Sequence, residues 1–179
     1  VLSPSGGRIA LVVTNGGRRK IVVMTADRKP LAMAPLEGSP VTRIEWAGED
    51  HLVLVAPATL VGRNGRADRR YNRAFHVDLR TGETFVLFDR QSFYLPAILG
   101  LYGVWEKDGV PLAYAGGAPV DLVATDIDGV VHPNLYEIDL RSGREKLLDG
   151  AQNGFRRWVV SPDVAISGYS HYLFADKTW

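Results

Sequence analysis

Residues 75–83 read Phe-His-Val-Asp-Leu-Arg-Thr-Gly-Glu, and residues 136–144 read Tyr-Glu-Ile-Asp-Leu-Arg-Ser-Gly-Arg. Both stretches begin with an aromatic residue, alternate in polarity and then share Asp-Leu-Arg-(Thr/Ser)-Gly. The alternation predicts a short β-strand, and the glycine that closes it predicts a tight turn. A further short strand is predicted after each copy, at residues 85–88 and 145–148. Each copy therefore predicts the last two strands of an antiparallel unit.

A second pattern lies upstream of each copy and predicts the first two strands of the unit. In residues 44–56 and again in residues 104–115, a tryptophan precedes an acidic turn, and an apolar run follows that turn. We predict that Trp46 and Trp105 are core residues at equivalent places in successive units. Partial relatives of the unit lie at both ends of the chain. Four antiparallel strands in a unit of roughly 40–60 residues are typical of the blades of a β-propeller.

The sequence thus predicts an all-β fold, a β-propeller fragment of about three and a half four-stranded antiparallel blades. A β-sandwich or a plain meander also has many short strands, but it does not require a recurring four-strand unit. We expect one domain over residues 1–179, with blades near residues 1–38, 41–90, 97–150 and 155–179. The first blade lacks most of its inner strand, the last stops before its outer strand, and the chain begins with Val1. We therefore expect a segment cut from a longer chain.

Several turns carry a resemblance to a known family. Residues 2–10 read Leu-Ser-Pro-Ser-Gly-Gly-Arg-Ile-Ala, residues 160–163 read Val-Ser-Pro-Asp, and residues 46–55 read Trp-Ala-Gly-Glu-Asp-His-Leu-Val-Leu-Val. Together with the two Asp-Leu-Arg turns, these stretches resemble the N-terminal β-propeller of the prolyl oligopeptidase family of serine peptidases, which includes dipeptidyl peptidase IV. They are also similar to TolB-type propellers.

The resemblance implies a non-catalytic role. In that family the propeller covers the active site of a following α/β-hydrolase domain and filters substrates by size. For this chain it implies gating of substrate access and docking of the hydrolase domain, so the expected partners are that domain or a peptide substrate. A second function, from a different class, is a free-standing propeller scaffold that binds protein partners. A second copy of the chain is a further candidate partner, because open blade faces and strand edges invite pairing.

No catalytic site is predicted within the chain itself. The best match to a Gly-x-Ser-x-Gly nucleophile elbow is residues 168–172, where Tyr172 stands in place of the second glycine and no helix signal follows. We interpret the stretch around Ser170 as a β-strand. The chain has no cysteine, which excludes disulfides and thiolate catalysis.

No metal ion or cofactor is predicted either. The four histidines His51, His76, His132 and His171 lie far apart in the sequence and never at the spacing of a zinc-binding helix. Residues 126–129, Asp-Ile-Asp-Gly, resemble the start of a calcium loop, and Glu137 falls at its twelfth position. The valines and the proline between them fit poorly, so we interpret this stretch as a hairpin tip.

Residues 61–73 form the most basic stretch, with five arginines against one aspartate and a net charge of +4. Guanidinium groups suit carboxylates, so we predict that Arg63, Arg66, Arg69 and Arg70 contact an acidic partner. A solvated loop is the alternative. This stretch and the insertion at residues 116–133 each join the second and third strands of a blade. Equivalent connections of neighbouring blades are expected on one face of a propeller, and elaborated loops often carry function.

The remaining partners are constrained by composition. The net charge of the 179-residue chain is +1, and only Tyr71 among the basic residues offers an aromatic stacking surface, so no nucleic-acid partner is expected. No apolar run approaches the roughly 20 residues of a spanning helix, so no membrane partner is expected. The sequence leaves both a cytoplasmic and a periplasmic location open.

Overall fold

A computed structural model describes residues 1–36, 40–60, 69–90, 96–117, 133–150, 155–163 and 166–172. Within these residues the secondary structure is thirteen β-strands, and no helix occurs there. Consequently the described part of the chain offers no long apolar helix that could cross a membrane. The strands are β1 (Arg8–Asn15), β2 (Arg18–Thr25), β3 (Pro30–Leu36), β4 (Arg43–Ala47), β5 (His51–Leu60), β6 (Arg69–Asp78), β7 (Thr84–Val86), β8 (Leu101–Lys107), β9 (Val110–Gly117), β10 (Asn134–Asp139), β11 (Glu145–Asp149), β12 (Phe155–Val159) and β13 (Gly168–Tyr172).

The strands form four antiparallel sheets that follow one another along the chain. Sheet 1 is β1-β2-β3, sheet 2 is β4-β5-β6-β7, sheet 3 is β8-β9-β10-β11, and sheet 4 is β12-β13. Every strand pairs only with its neighbours in sequence, and a single bridge from Leu2 to Ile9 extends sheet 1 on its inner side. Successive four-stranded meanders of this kind are propeller blades. The predicted fold class, an all-β propeller fragment, is confirmed.

The core lies between sheets rather than within one central layer. In β5, Leu52 and Leu54 pack toward sheet 1, whereas Val53 and Val55 pack toward sheet 3. A strand buried on both faces needs a continuous apolar run, which explains why this strand does not alternate with polar residues. The inner strands also meet, since β4 lies against β8 and Arg43 donates to the carbonyl oxygen of Leu101 at 2.8 Å.

Trp46 and Trp105 both pack into core clusters, but they do not occupy equivalent places, so the predicted equivalence is wrong. Trp46 lies opposite Leu52 and packs toward sheet 1, whereas Trp105 lies opposite Leu112 and packs toward sheet 4. The reason is turn length. Residues 48–50 connect β4 to β5, but only two residues connect β8 to β9. One residue fewer shifts the inner strand by one position, which turns its side chains to the other face.

The repeated Asp-Leu-Arg motif is explained by the turn after the third strand. Asp78 Oδ1 accepts the backbone N–H groups of Arg80 and Thr81 at 2.8 and 3.3 Å, and Gly82 has a φ of 76°. An aspartate that caps its own turn and a glycine in the left-handed region are what such a turn requires. Asp139 makes the equivalent bond in sheet 3, where its Oδ1 accepts a backbone N–H at 2.9 Å.

Candidate functional site

A polar cleft of about 390 Å³ opens between sheets 2 and 3. It lies between the β6–β7 turn of sheet 2 and the turn that follows β10 in sheet 3. Its polar lining residues are His76, Asp78, Arg80, Glu83, Thr84, Arg90 and Arg141. Cationic, anionic and neutral hydrogen-bonding groups thus converge at one edge of the core.

A buried histidine pair stands at the sheet 2 side of this cleft. Because His51 lies opposite Asp78 and Val53 lies opposite His76, the two histidines are diagonal neighbours on the face toward sheet 3. His51 Nδ1 and His76 Nε2 are 3.0 Å apart, and each residue is 2% exposed. His76 Nδ1 is also buried, and it has no hydrogen-bond partner among the described residues.

Burial favours the neutral form of both imidazoles. Burial, followed by the charge of His51, lowers the pKa of His76 to about 4, although Asp78 opposes the shift. Burial also lowers the pKa of His51. A neutral imidazole carries one donor and one acceptor. The pair therefore shares one proton, and the tautomer of His76 decides whether its Nδ1 atom donates or accepts.

Two of the cleft arginines belong to the repeated motif and reach back to the first turn of their own sheet. Arg80 Nε lies 3.6 Å from Asp50 Oδ2, and Arg141 Nη2 donates to the carbonyl oxygen of Gly109 at 2.6 Å. These contacts link the first and last hairpins of each sheet. A guanidinium has five N–H donors, so both side chains retain donors for a further group.

The third arginine crosses from sheet 2 to sheet 3. Arg90 donates from Nη1 to the carbonyl oxygen of Ser142, and its guanidinium lies 4.7 Å from the centre of the Phe85 ring.

The acidic residue Asp78, which also lines the cleft, is held as a carboxylate. Burial acts to raise the pKa of Asp78, but the backbone N–H groups that it accepts bring that pKa below its ordinary value.

Sequence reasoning missed this site because it treated His51 and His76 as unrelated strand residues. The repeat already predicted that residues 51–56 and 75–79 belong to adjacent strands of one sheet. In the register of these strands Val53 lies opposite His76, and His51 is two residues from Val53, so His51 and His76 lie on the same face. To find the histidine pair from the sequence, the register of β5 with β6 was therefore needed in addition to the spacing of the histidines.

The predicted partner-binding arginines are only partly covered by the structure. Arg63 and Arg66 lie outside the described residues. Arg69 begins β6 opposite Leu60, and Arg70 follows it as an exposed residue. Arg70 does not line the polar cleft. Their contact with an acidic partner remains a prediction.

The strands that flank the two long insertions end close together. The backbone N–H of Ile98 donates to the carbonyl oxygen of Asn72 at 2.8 Å, and that of Leu99 donates to the carbonyl oxygen of Gly116 at 2.8 Å. Asn72 is near the start of β6, and Gly116 is near the end of β9. The insertions themselves, residues 61–68 and 118–132, lie outside the described residues, so their shared face stays a prediction.

The other sequence candidates have structural positions of their own. Ser170 lies within β13 opposite Arg157, whereas a nucleophile elbow requires a strand-to-helix turn. Residues 126–129 lie outside the described residues, and Glu137 accepts a hydrogen bond from the Tyr114 hydroxyl at 2.8 Å. Within the described ranges, no group of three or more histidine and acidic side chains is placed to hold a metal ion.

A second cleft, of about 450 Å³, lies between sheets 1 and 2. It is mainly apolar, with Leu36, Leu54 and Phe75 among its lining residues. Arg73 also lines it, and the buried Nε atom of Arg73 has no hydrogen-bond partner among the described residues. Among the residues that the structure describes, this cleft holds no comparable set of titratable groups.

Comparison with known proteins yields no family for the chain. No protein-family model matches it. No curated protein matches it significantly. Among solved structures it is similar to TolB from Acinetobacter baumannii, with 17% identity and a TM-score of 0.49 over 95% of this chain and 38% of TolB. It is also similar to an ACO/RPE65 chimera, with 11% identity and a TM-score of 0.45 over 87% of this chain and 37% of the chimera. The chain thus spans less than two fifths of the length of either structure.

Proposed function

We propose that this chain is a non-catalytic β-propeller segment of a prolyl-oligopeptidase-like serine peptidase, where it gates substrate access and docks the hydrolase domain. The observation that carries the proposal is the repeated blade itself. Both copies of the Asp-Leu-Arg motif fold into the same aspartate-capped turn, and that motif is part of the family resemblance. The position of Ser170 in the middle of a strand supports a scaffold rather than a hydrolase.

The first test is the coding sequence that follows the codon for Trp179. The proposal expects a Gly-x-Ser-x-Gly elbow there, with an aspartate and a histidine further on. The present chain alone is expected to hydrolyse neither a proline-containing peptide nor an ester. Turnover by the chain that is lost in Ser170→Ala would contradict the non-catalytic assignment.

The gating role is tested on that longer protein. Removal of residues 1–179 is expected to raise the cleavage of long peptides relative to a short chromogenic peptide, because the size filter is lost. The ratio of kcat/KM for the two substrates is the measurement. An unchanged ratio in a folded deletion variant would contradict gating.

The docking role assigns Arg63, Arg66, Arg69 and Arg70 to an acidic surface of the hydrolase domain. Changing all four to glutamine is expected to leave the melting temperature nearly unchanged, since exposed charges contribute little to stability. The same change should weaken docking, more at low salt than at high salt. The matched control is Arg18→Gln with Arg28→Gln, two exposed arginines of sheet 1. Equal weakening by both variants would contradict a specific role.

The second candidate function is a free-standing propeller scaffold that binds protein partners. The arginine-rich cleft between sheets 2 and 3 favours it, because that cleft offers a binding site without a hydrolase domain. A stop codon soon after the last blade, without an elbow, would favour this function over the first.

A further inference from the structure

We propose that the polar cleft between sheets 2 and 3 is a carboxylate-binding site, in which Arg80, Arg90 and Arg141 surround the carboxylate and His76 Nδ1 donates a hydrogen bond to it. This inference goes beyond the proposed function, since it requires neither a peptidase parent nor a hydrolase domain. It rests on the charge of the cleft, on the unsatisfied histidine and on the size of the space.

The charge of the cleft favours an anion. Three guanidinium groups and two carboxylates, those of Asp78 and Glu83, line the cleft, and Arg80 also lies 3.6 Å from Asp50. Asp78 already accepts two backbone N–H groups of its own turn, so part of its hydrogen-bonding capacity is used. Each guanidinium has donors beyond the single bond or ion pair that holds it in place. Planar guanidinium forks match the two oxygens of a carboxylate.

The histidine pair supplies a neutral donor at the sheet 2 side. If His51 Nδ1 carries the shared proton and donates it to His76 Nε2, the neutral His76 ring carries its own proton on Nδ1. That N–H is buried and without a partner among the described residues, a state that costs free energy until an acceptor arrives. A carboxylate oxygen is such an acceptor. The opposite tautomer would present a lone pair to the anion, so binding should select the first tautomer.

The size of the space limits the ligand. A cleft of about 390 Å³ is near the lower end of the range for small-molecule sites. It can hold a small dicarboxylate or the carboxyl-terminal residues of a peptide. Both sources share the same recognition chemistry, and the experiment distinguishes them.

The experiment is an NMR titration of the full chain, labelled with ¹⁵N in its histidine rings, at pH 7. Succinate is the probe, and succinamide is its uncharged control. We expect succinate, but not succinamide, to shift the His76 ring signals toward the Nδ1–H tautomer in a saturable manner. An unchanged His76 tautomer, or an equal response to succinamide, would overturn the proposal. Inorganic phosphate that binds more tightly than succinate would overturn the carboxylate assignment.

A pair of variants separates the site from general surface charge. Arg141→Gln removes a cleft guanidinium, and Arg144→Gln removes an exposed one on the same turn that does not line the cleft. Loss of one charge-assisted contact is expected to weaken succinate binding about tenfold in Arg141→Gln. Arg144→Gln should stay within about twofold of the unchanged chain. Equal weakening in both variants would overturn the assignment.

A peptide titration then identifies the source of the carboxylate. A short peptide with a free carboxyl terminus is compared with its amidated form. Tighter binding of the free acid than of succinate, lost on amidation, would support the site as a receptor for chain ends. Binding of succinate alone would support it as a small-molecule site. Failure of both acids to bind would overturn the proposal.

Discussion

At the scale of single residues, Trp46 and Trp105 show that one residue type can have different energetic weight. Trp46 is 5% exposed and donates from Nε1 to the carbonyl oxygen of Val1 at 3.3 Å. Trp105 is half-buried and stacks on Tyr114, with ring centres 4.6 Å apart, but its Nε1 has no partner among the described residues. The first indole is therefore fixed by packing and a hydrogen bond, and the second by packing alone.

We predict that Trp46→Ala lowers the free energy of unfolding by about 3–5 kcal/mol, because it leaves a cavity between sheets 1 and 2. Trp105→Phe should cost less than about 1.5 kcal/mol, since it keeps an aromatic ring and removes an unsatisfied N–H. Urea unfolding of both variants is the measurement. A neutral Trp46→Ala would show that sheet 1 does not pack on sheet 2 as described.

A second prediction at this scale concerns His76 and pH. The pKa of His76 falls from 6.5 to about 4 on folding, so between these values the unfolded chain binds more protons than the folded chain. Stability should therefore fall as the pH falls from about 6.5 to about 4, by up to about 3 kcal/mol from this group. His76→Gln should reduce that loss. Urea unfolding at several pH values checks it, and parallel pH profiles for the two proteins would contradict it.

The candidate site was only partly predictable from the sequence. The Asp-Leu-Arg motif located Asp78, Arg80 and Arg141 as turn residues, but nothing in one sequence tells which turns of neighbouring sheets face each other. The histidine pair depends on the register of β5 with β6, and that register is fixed by packing of both strand faces. Pairwise geometry, rather than residue type, was the missing information.

At the scale of elements, β8 needs a glycine where it packs closely against neighbouring side chains. Gly103 lies within β8, and a Cβ atom at this position would collide with the Trp105 ring and lie 2.9 Å from Val160 Cγ2. The strand therefore uses glycine to admit its own tryptophan against sheet 4. At Gly168, in β13, a Cβ atom would lie in open space.

We predict that Gly103→Ala lowers the free energy of unfolding by about 1–3 kcal/mol, the usual cost of overpacking. Gly168→Ala is the matched control and should be neutral or slightly stabilising, because alanine loses less chain entropy on folding. Thermal melting of both variants decides the matter. Equal melting temperatures would show that Trp105 moves aside at no cost.

Which segments form strands was more predictable from the sequence than the register in which those strands pair. The apolar runs and glycine turns of sheets 2 and 3 predicted their strands, because both signals are local. The tryptophan alignment failed, since a one-residue difference in turn length changes the register and leaves the local pattern intact.

At the scale of the whole molecule, the two end sheets present apolar side chains to solvent. Val22 lies opposite Met33 on the face of sheet 1 that points away from sheet 2, and Met33 is 59% exposed. At the other end, Val159 is 61% exposed and follows the buried Trp158 in β12. In a propeller, such a face is normally covered by the neighbouring blade.

We predict that the chain self-associates through these faces. Met33→Glu should shift sedimentation at tens of micromolar toward the monomer, because it puts a charge on an apolar contact. Leu147→Glu is the matched control, since Leu147 is 54% exposed on the outer strand of sheet 3. A chain that sediments as a monomer before any substitution would contradict the prediction.

The unequal first turns of sheets 2 and 3 also bear on how one blade can be exchanged for another. Loss or gain of one residue in this turn reassigns every inner-strand side chain to the opposite neighbouring blade, without a single substitution. In this chain Trp46 and Trp105 serve different interfaces, and matching the two sheets by tryptophan pairs residues with unrelated environments. A chimera that transplants an inner strand from one blade to another must therefore carry the turn along with it.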